Sequence, residues 1–419
     1  MKEMKNIVSL IKSGKTLTPF NFYTDFLQEV ADVYLEDKEN EIEFKLIEGD
    51  DLNFNSKYFI DPISLPLFLS LAQQLKNHHK KPIKFHLSNT PITIDILEFL
   101  YRSDFFYIVG KNDNPSFPLG KNILDYDQAY LGSFKGKLIR TEHKVRCYSL
   151  IDDNILQRIN LIIDEPSKRD YLVEYFTYKV KEHFYTLLYE NETIEHLTSE
   201  YIEILAELIT NGVLHSESDA FALMFSDRYK TKFSISDNGI GLFESIRKKD
   251  NTNEFYNKFE LLEILSKSFP LSVSDKIKYS ILSLFETLFY SMLKDRQGLF
   301  DLMCNVVLNC SGYLRLHTDN AQIIVSARML NELEKLNETR TDILKTYNSR
   351  LFDLIDDEEL RARMAILTNK CKKQVAELAN SIFKKYSEDT RFSSIRIFDV
   401  KFRGVHIEVE IPNKIEKAW

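Results

Sequence analysis

The sequence predicts an α/β chain, of α+β type overall, with two folding units and a helical insertion. Three observations predict it. Alternating apolar runs and helix-spaced runs take turns over roughly residues 41–150. A second series starts near 164 with long amphipathic patterns and ends on alternating strands. Within this second series, residues 328–386 hold neither proline nor glycine and repeat with helical period. At roughly 100–200 residues per domain, 419 residues allow two or three domains.

In chain order, residues 1–40 read as helical, because FNFYTDFLQEVADVYL has apolar residues at helical spacing. EIEFKLIEG alternates as a strand. DPISLPLFLSLAQQLKNHHKK reads as a helix with Pro62 or Pro66 in its first turn. KPIKFHLSN is a short strand, and TPITIDILEFLYRSDFFYIVG a helix running into a strand. The turn formers of KNDNPSFPLGKNILDYDQ mark a loop, and KLIRTEHKVRCYSLI closes this unit as a strand. A boundary follows near 163–169. DYLVEYFTYKVKEHFYTLLYE and TSEYIEILAELITNGVLHS are helices; DAFALMFSD and KTKFSISDNG are strands joined by a polar turn. Residues 243–310 are mostly helical. GYLRLHTDN and AQIIVSA read as a hairpin, 328–386 as a helical hairpin, and SSIRIFDVKFRGVHIEVEIP as two strands. The 328–386 helices fit either a coiled-coil-like arm or an insertion packed on the sheet. FETLFYSML, 285–293, fits a buried helix or a dimer contact.

Composition excludes several classes. Charged residues are 28% and hydrophobic residues 44%, ordinary for a globular chain. The net charge of −8 opposes a general nucleic-acid coat. Runs such as SLPLFLSLAQQL are too short to span a bilayer, and MKEMKNIVSLIKSGK lacks an apolar h-region, so the expectation is a cytoplasmic protein. Cys147, Cys304, Cys310 and Cys371 have no CxxC spacing and read as reduced core thiols. There is no Walker P-loop, no Rossmann G-x-G-x-x-G and no G-x-S-x-G elbow.

Glycine is scarce, 12 in the chain, so each position carries information. In ELITNGVLH, Glu207 and Asn211 are four apart and share a helix face, and His215 lies near it. A carboxylate there could take a proton from water, and a carboxamide oxygen suits a hydrated hard cation. In SISDNGIGL, Asp237 ends a strand and can accept from an adenine amino group. Gly239 and Gly241 let backbone pass close to a flat base. In DRQGLFDLM, Gly298 and Leu299 open a helix whose N-terminus suits phosphate.

Together these strings resemble the GHKL ATPase superfamily, the fold of gyrase-type and chaperone ATPases and of histidine and anti-sigma-factor kinases. Glu207 and Asn211 resemble its N box; Asp237, Gly239 and Gly241 its first glycine box; Gly298-Leu299 the end of its second. GYLRLHTDN and GVHIEVEIP resemble its later strands. The likeness covers roughly 170–330 and 392–413. It implies a GHKL α/β sandwich over 164–419, with an enlarged ATP lid at 243–297 and the insertion at 328–386. It also implies ATP and Mg2+ as cofactors. Glu207 would be the general base, Asn211 the Mg2+ ligand and Asp237 the adenine reader; Gly239, Gly241, Gly298, Leu299 and His215 would complete the cofactor site. Two departures stand out: Arg296 and Gln297 precede the single Gly298, and Gly404-Val405 replaces the usual Gly-Thr. Lys294 or Arg296 could substitute at the phosphates; the plainer reading is solvated lid charges. Either water or a protein hydroxyl could attack the γ-phosphate, or the nucleotide could act as an unhydrolysed conformational ligand. A protein partner or self-association would involve the lid or the 328–386 helices.

Residues 43–110, within a unit spanning 41–163, are similar to a STAS domain, whose phosphoacceptor sits at a strand-to-helix junction. Ser88 and Thr90 in FHLSNTP occupy a comparable junction, where helix capping is the plainer role. His183 and His196 precede the N box but lack the family's phosphoacceptor surround. His78 and His79, beside Lys80 and Lys81, read as a solvated helix end.

Overall fold

The computed structural model describes residues 6–12, 14–48, 59–111, 120–134, 143–151, 155–216, 218–248, 253–390 and 393–413. It has mixed α and β structure arranged in layers around two sheets. The first sheet is parallel, in the order β1 (Ile7–Ile11), β3 (Glu43–Ile47), β5 (Ile83–His86), β6 (Leu124–Asp125). A parallel two-stranded ribbon joins β2 (Thr16–Leu17) to β4 (Phe59–Ile60). The second sheet is antiparallel. Its order is β10 (Tyr313–Val325), β11 (Ile395–Pro412), β9 (Lys230–Asp237), β8 (Ala220–Ser226), β7 (His143–Tyr148).

Several elements depart from the sequence reading. Residues 1–40 are not simply helical: β1 and β2 precede the helix Leu27–Glu36, and β1 pairs with β3. The run FFYIV is a short helix, Phe105–Val109, not a strand. KVRCYS, expected to close the first unit, is the edge strand β7 of the second sheet. The expected hairpin at 312–326 is one strand, β10, whose register shifts around Asp319, a residue with φ +53. The two closing strands are likewise one, β11, which pairs with β10 along its length and with β9 beyond Gly404. Two strands of one sheet with a bulge look, in sequence, like four short strands.

The helix Leu65–His79 is apolar on all sides over its first two turns. Such a helix needs cover all round. It lies on β8 and β9 of the second sheet, and its first nine residues are buried. Phe68 is its central anchor, with ring contacts to Phe26, Phe44, Phe85 and Phe105. The other face of the antiparallel sheet carries Thr198–Ser216, Glu165–Tyr189 and Asp275–Met292 in one apolar core. Strand alternation divides the two faces. Phe233 and Ile235 of β9 enter that helical core, whereas Lys232, Ser234 and Ser236 turn to the first unit.

The helices Leu330–Leu351 and Asp357–Glu388 pack on each other, and Asp357–Glu388 packs on Asp275–Met292. Leu333, Leu336, Ile343, Met364, Val375 and Phe383 are buried in the same core, so this hairpin is an integrated insertion and not a free arm. FETLFYSML is a buried helix segment. The four cysteines are buried and not joined in disulfides. At the 88–93 junction, the Thr90 N–H donates to Thr93 Oγ1 (2.9 Å), a local turn contact, and the helix Ile94–Arg102 that follows carries no side-chain cap. No helix among the described residues is long and apolar enough to cross a membrane.

Candidate functional site

A cavity of about 140 Å³ lies between the end of β9, the helix Thr198–Ser216 and the helix Asp275–Met292. Three of the expected segments meet there. Leu208, Asn211 and Gly212 come from the first helix, Asp237 and the turn Gly239–Leu242 from β9 and its exit. Val405 and Ile407 come from β11, and Thr287, Tyr290 and Ser291 from the other helix. Lys258, Lys294 and Leu299 complete the wall.

Asp237 forms one end. Its Oδ1 accepts from the backbone N–H of Gly239 (2.8 Å) and of Val405 (3.2 Å). Its Oδ2 lies 3.7 Å from the point where a side chain on Gly212 would begin. Thus one edge of the carboxylate is fixed by backbone and the other looks into the cavity under the helix. Burial pushes its pKa up to about 7, against the two N–H donors that lower it. Gly404 makes this possible. Its φ is +109, and a Cβ there would stand 2.0 Å from the Asp237 carbonyl oxygen. Gly241 has φ +79, with Thr318 Oγ1 3.2 Å from any added Cβ. The Thr318 hydroxyl accepts from Leu242 N–H (3.1 Å), so β10 supplies the threonine beside this turn.

Asn211, next to Gly212 on the same helix, turns its carboxamide to a cation. The cap of the helix Glu165–Tyr189, Asp164 accepting from Ser167 N–H, sets the phase of its first turns. Arg169 thereby faces the helix Thr198–Ser216. Its Nη2 donates to Glu207 Oε1 and to Asn211 Oδ1 (3.0 Å). Lys294 Nζ reaches the same Glu207 oxygen at 3.3 Å. Burial opposes the charge on Glu207, but Lys294, Arg169 and Arg296 outweigh it and hold its pKa below the ordinary carboxylate range. Glu207 is 3% exposed, its Oε2 has no hydrogen-bond partner among the described residues, and it is not on the cavity wall. Lys294 is therefore not a solvated lid charge, since it pairs with Glu207, whereas Arg296 pairs with exposed Asp170 (2.9 Å) at the surface.

Gly298 is not brought to the cavity. It caps the six-residue helix Leu299–Cys304, and its N–H donates to Asp301 Oδ2 (2.9 Å), while Phe300 N–H goes to Ser291 Oγ (3.0 Å). The expected phosphate donors are already used. Asp301 is held in turn by Arg340, 1% exposed, whose guanidinium also donates to the carbonyls of Met292, Lys294 and Arg296. His215 lies in the last turn of its helix, and its side chain is outside the described residues.

Sequence reasoning missed Arg169 and Arg340. Both had a signal. Arg340 falls in the apolar stripe Leu333, Leu336, Ile343, and Arg169 precedes Leu172 and Phe176 on one face. A base at a stripe position needs a buried partner.

The Mg2+ expectation rests on the Asn211 carboxamide oxygen, a suitable hard donor. In this arrangement that oxygen and Glu207 are both engaged by a guanidinium, so the donor set does not fit the ion while Arg169 stands there. No protein-family model matches this chain, and no curated protein or solved structure does either.

Proposed function

We propose that this chain binds an adenine nucleotide in the cavity beside Asp237, and that the bound nucleotide sets its conformation in a cytoplasmic regulatory role. The Asp237 carboxylate carries the reading. Two backbone donors lock one oxygen, and the other is left for an exocyclic amine. The apolar wall of Leu208, Ile235, Ile246 and Ile407 suits the faces of a purine. The GHKL resemblance assigns the same role to the same residue.

A second reading is Mg2+-dependent hydrolysis, or transfer of the γ-phosphate to a protein hydroxyl. Its support is that Glu207 and Asn211 share one helix face, and it requires Arg169 to withdraw. A Glu207 with a lowered pKa, paired to two cations, is a poor proton acceptor. Binding without turnover is therefore the favoured form. Exposed Leu351, Phe352 and Leu354 at the tip of the helical hairpin support a protein partner or self-association there.

Calorimetry with ATP, adenosine and GTP tests the proposal. ATP and adenosine should bind and GTP should not. Asp237→Asn should weaken both by roughly tenfold or more, the loss expected for a charge-assisted hydrogen bond. Equal affinity of the variant and the parent sinks the adenine-reader role.

A further inference from the structure

We infer that the phosphates of the nucleotide are held by Arg169 and Lys294, with Arg169 standing where the resemblance places Mg2+, so that adenine di- and triphosphates bind without a divalent cation. The inference rests on the nucleotide reading above and names the phosphate subsite within it.

Charge placement is the first argument. The chain as a whole is acidic, at −8, yet the described charged residues of the cavity wall are Lys258 and Lys294 against the single carboxylate Asp237, which lies at the purine end. Arg169 stands behind Asn211, sharing Glu207 Oε1 with Lys294. Arg169 and Lys294 therefore share one carboxylate, Glu207. The positive charge left over supplies phosphates with part of what a divalent ion would bring.

Donor geometry is the second. Among the described residues, Arg169 uses Nη2 for both Glu207 and Asn211. A guanidinium carries five N–H donors in a planar fork, so Arg169, which touches the cavity wall through Asn211 without lining it, keeps donors for a phosphate that reaches past Asn211. Arg169 and Lys294 are only 16% and 15% exposed, so their charges act at low dielectric. The backbone donors of Gly298 and Phe300 are already bonded, which leaves the phosphates to side chains.

The test is a binding series with adenosine, ADP and ATP, each in excess EDTA and in Mg2+, on the full chain. ATP affinity should agree within about twofold between the two conditions. Arg169→Ala and Lys294→Ala should each weaken ATP and ADP by about tenfold or more, with adenosine unchanged. Arg169→Ala should also make ATP binding depend on Mg2+, because Asn211 and Glu207 are released. Melting curves check each variant. If Arg169→Ala does not fold, Arg169→Ala with Glu207→Gln removes the buried carboxylate with its partner and carries the same comparison. Loss of ATP binding in EDTA overturns the inference. So does tighter ATP binding by Arg169→Ala, which would make Arg169 a plug. Failure of adenosine itself to bind overturns the underlying nucleotide reading instead.

Discussion

Asp237 is pulled two ways, and the balance has measurable consequences. Its folded pKa is about 7, against about 3.9 for an unperturbed aspartate. Between those values the folded protein keeps a proton that the unfolded chain has lost. The stability from that proton is full below about pH 4 and is lost as the pH rises through 7. The unliganded protein should therefore melt lower at pH 8 than at pH 5. Asp237→Asn should remove this component and melt higher than the parent at pH 8, as read by calorimetric scans at both values. Nucleotide binding should run the other way, since the adenine amine needs the ionised acceptor. Affinity should fall by up to about tenfold from pH 8 to pH 6. A second residue-scale test is Gly404→Ala. With a Cβ 2.0 Å from the Asp237 carbonyl and φ +109, the substitution must move β11 away. It should cost at least about 2 kcal/mol and release Val405 N–H from Asp237, lowering both stability and adenosine affinity.

At the scale of elements, the insertion hairpin is tied to the site through one side chain. Arg340, in the middle of Leu330–Leu351, bonds the Asp301 carboxylate at 2.9 and 3.0 Å and three carbonyls of the 292–296 turn. That turn carries Lys294 to the cavity wall. The insertion thus fixes the Lys294 side of the cavity without entering it. Arg340→Met leaves Asp301 buried without its cation, which should cost about 3–5 kcal/mol. Adding Asp301→Asn should recover part of that loss, because the amide oxygen can still cap Gly298. Chemical denaturation of the three proteins measures it, and full additivity of the two substitutions would mean the pair is not coupled.

On the scale of the whole molecule, the first unit and the antiparallel sheet behave as one body. Phe221, Leu223, Phe398 and Phe402 of the second sheet belong to the apolar core of the first unit. Buried polar groups cross the same boundary. Tyr23 OH donates to Glu408 (3.1 Å), which also holds Arg315 (3.0 Å), and Lys232 pairs with Asp61 (2.8 Å) and Glu410 (3.0 Å). Gln73 and Gln74 grip Asn238, the residue between Asp237 and Gly239. The Asp237 end of the cavity is therefore braced from the first unit. A fragment spanning 143–413 should not fold to a fixed structure. It should bind a hydrophobic dye and lack near-ultraviolet dichroism, because it exposes that apolar face beside unpaired charges. A cooperative, dye-silent fragment would show that the two units fold independently.

What the sequence determined by itself was local. Apolar period placed the helices Leu65–His79, Thr198–Ser216 and the 328–386 hairpin and the strands β8 and β9. Spacing put Asn211, Gly241 and Asp237 within reach of one cavity, since a helix turn and a strand end are rigid over a few residues. Only the tertiary structure decided what came from far along the chain. It brought Arg169 onto Glu207 and Asn211, Arg340 onto the 292–298 turn, and β7 into the second sheet. It also merged pairs of expected strands into β10 and β11. The physical reason is common to these cases. Period reports which face of an element is apolar, but the partner of a buried charge and the neighbour of a strand are chosen by packing between elements. Local spacing carries no record of that choice.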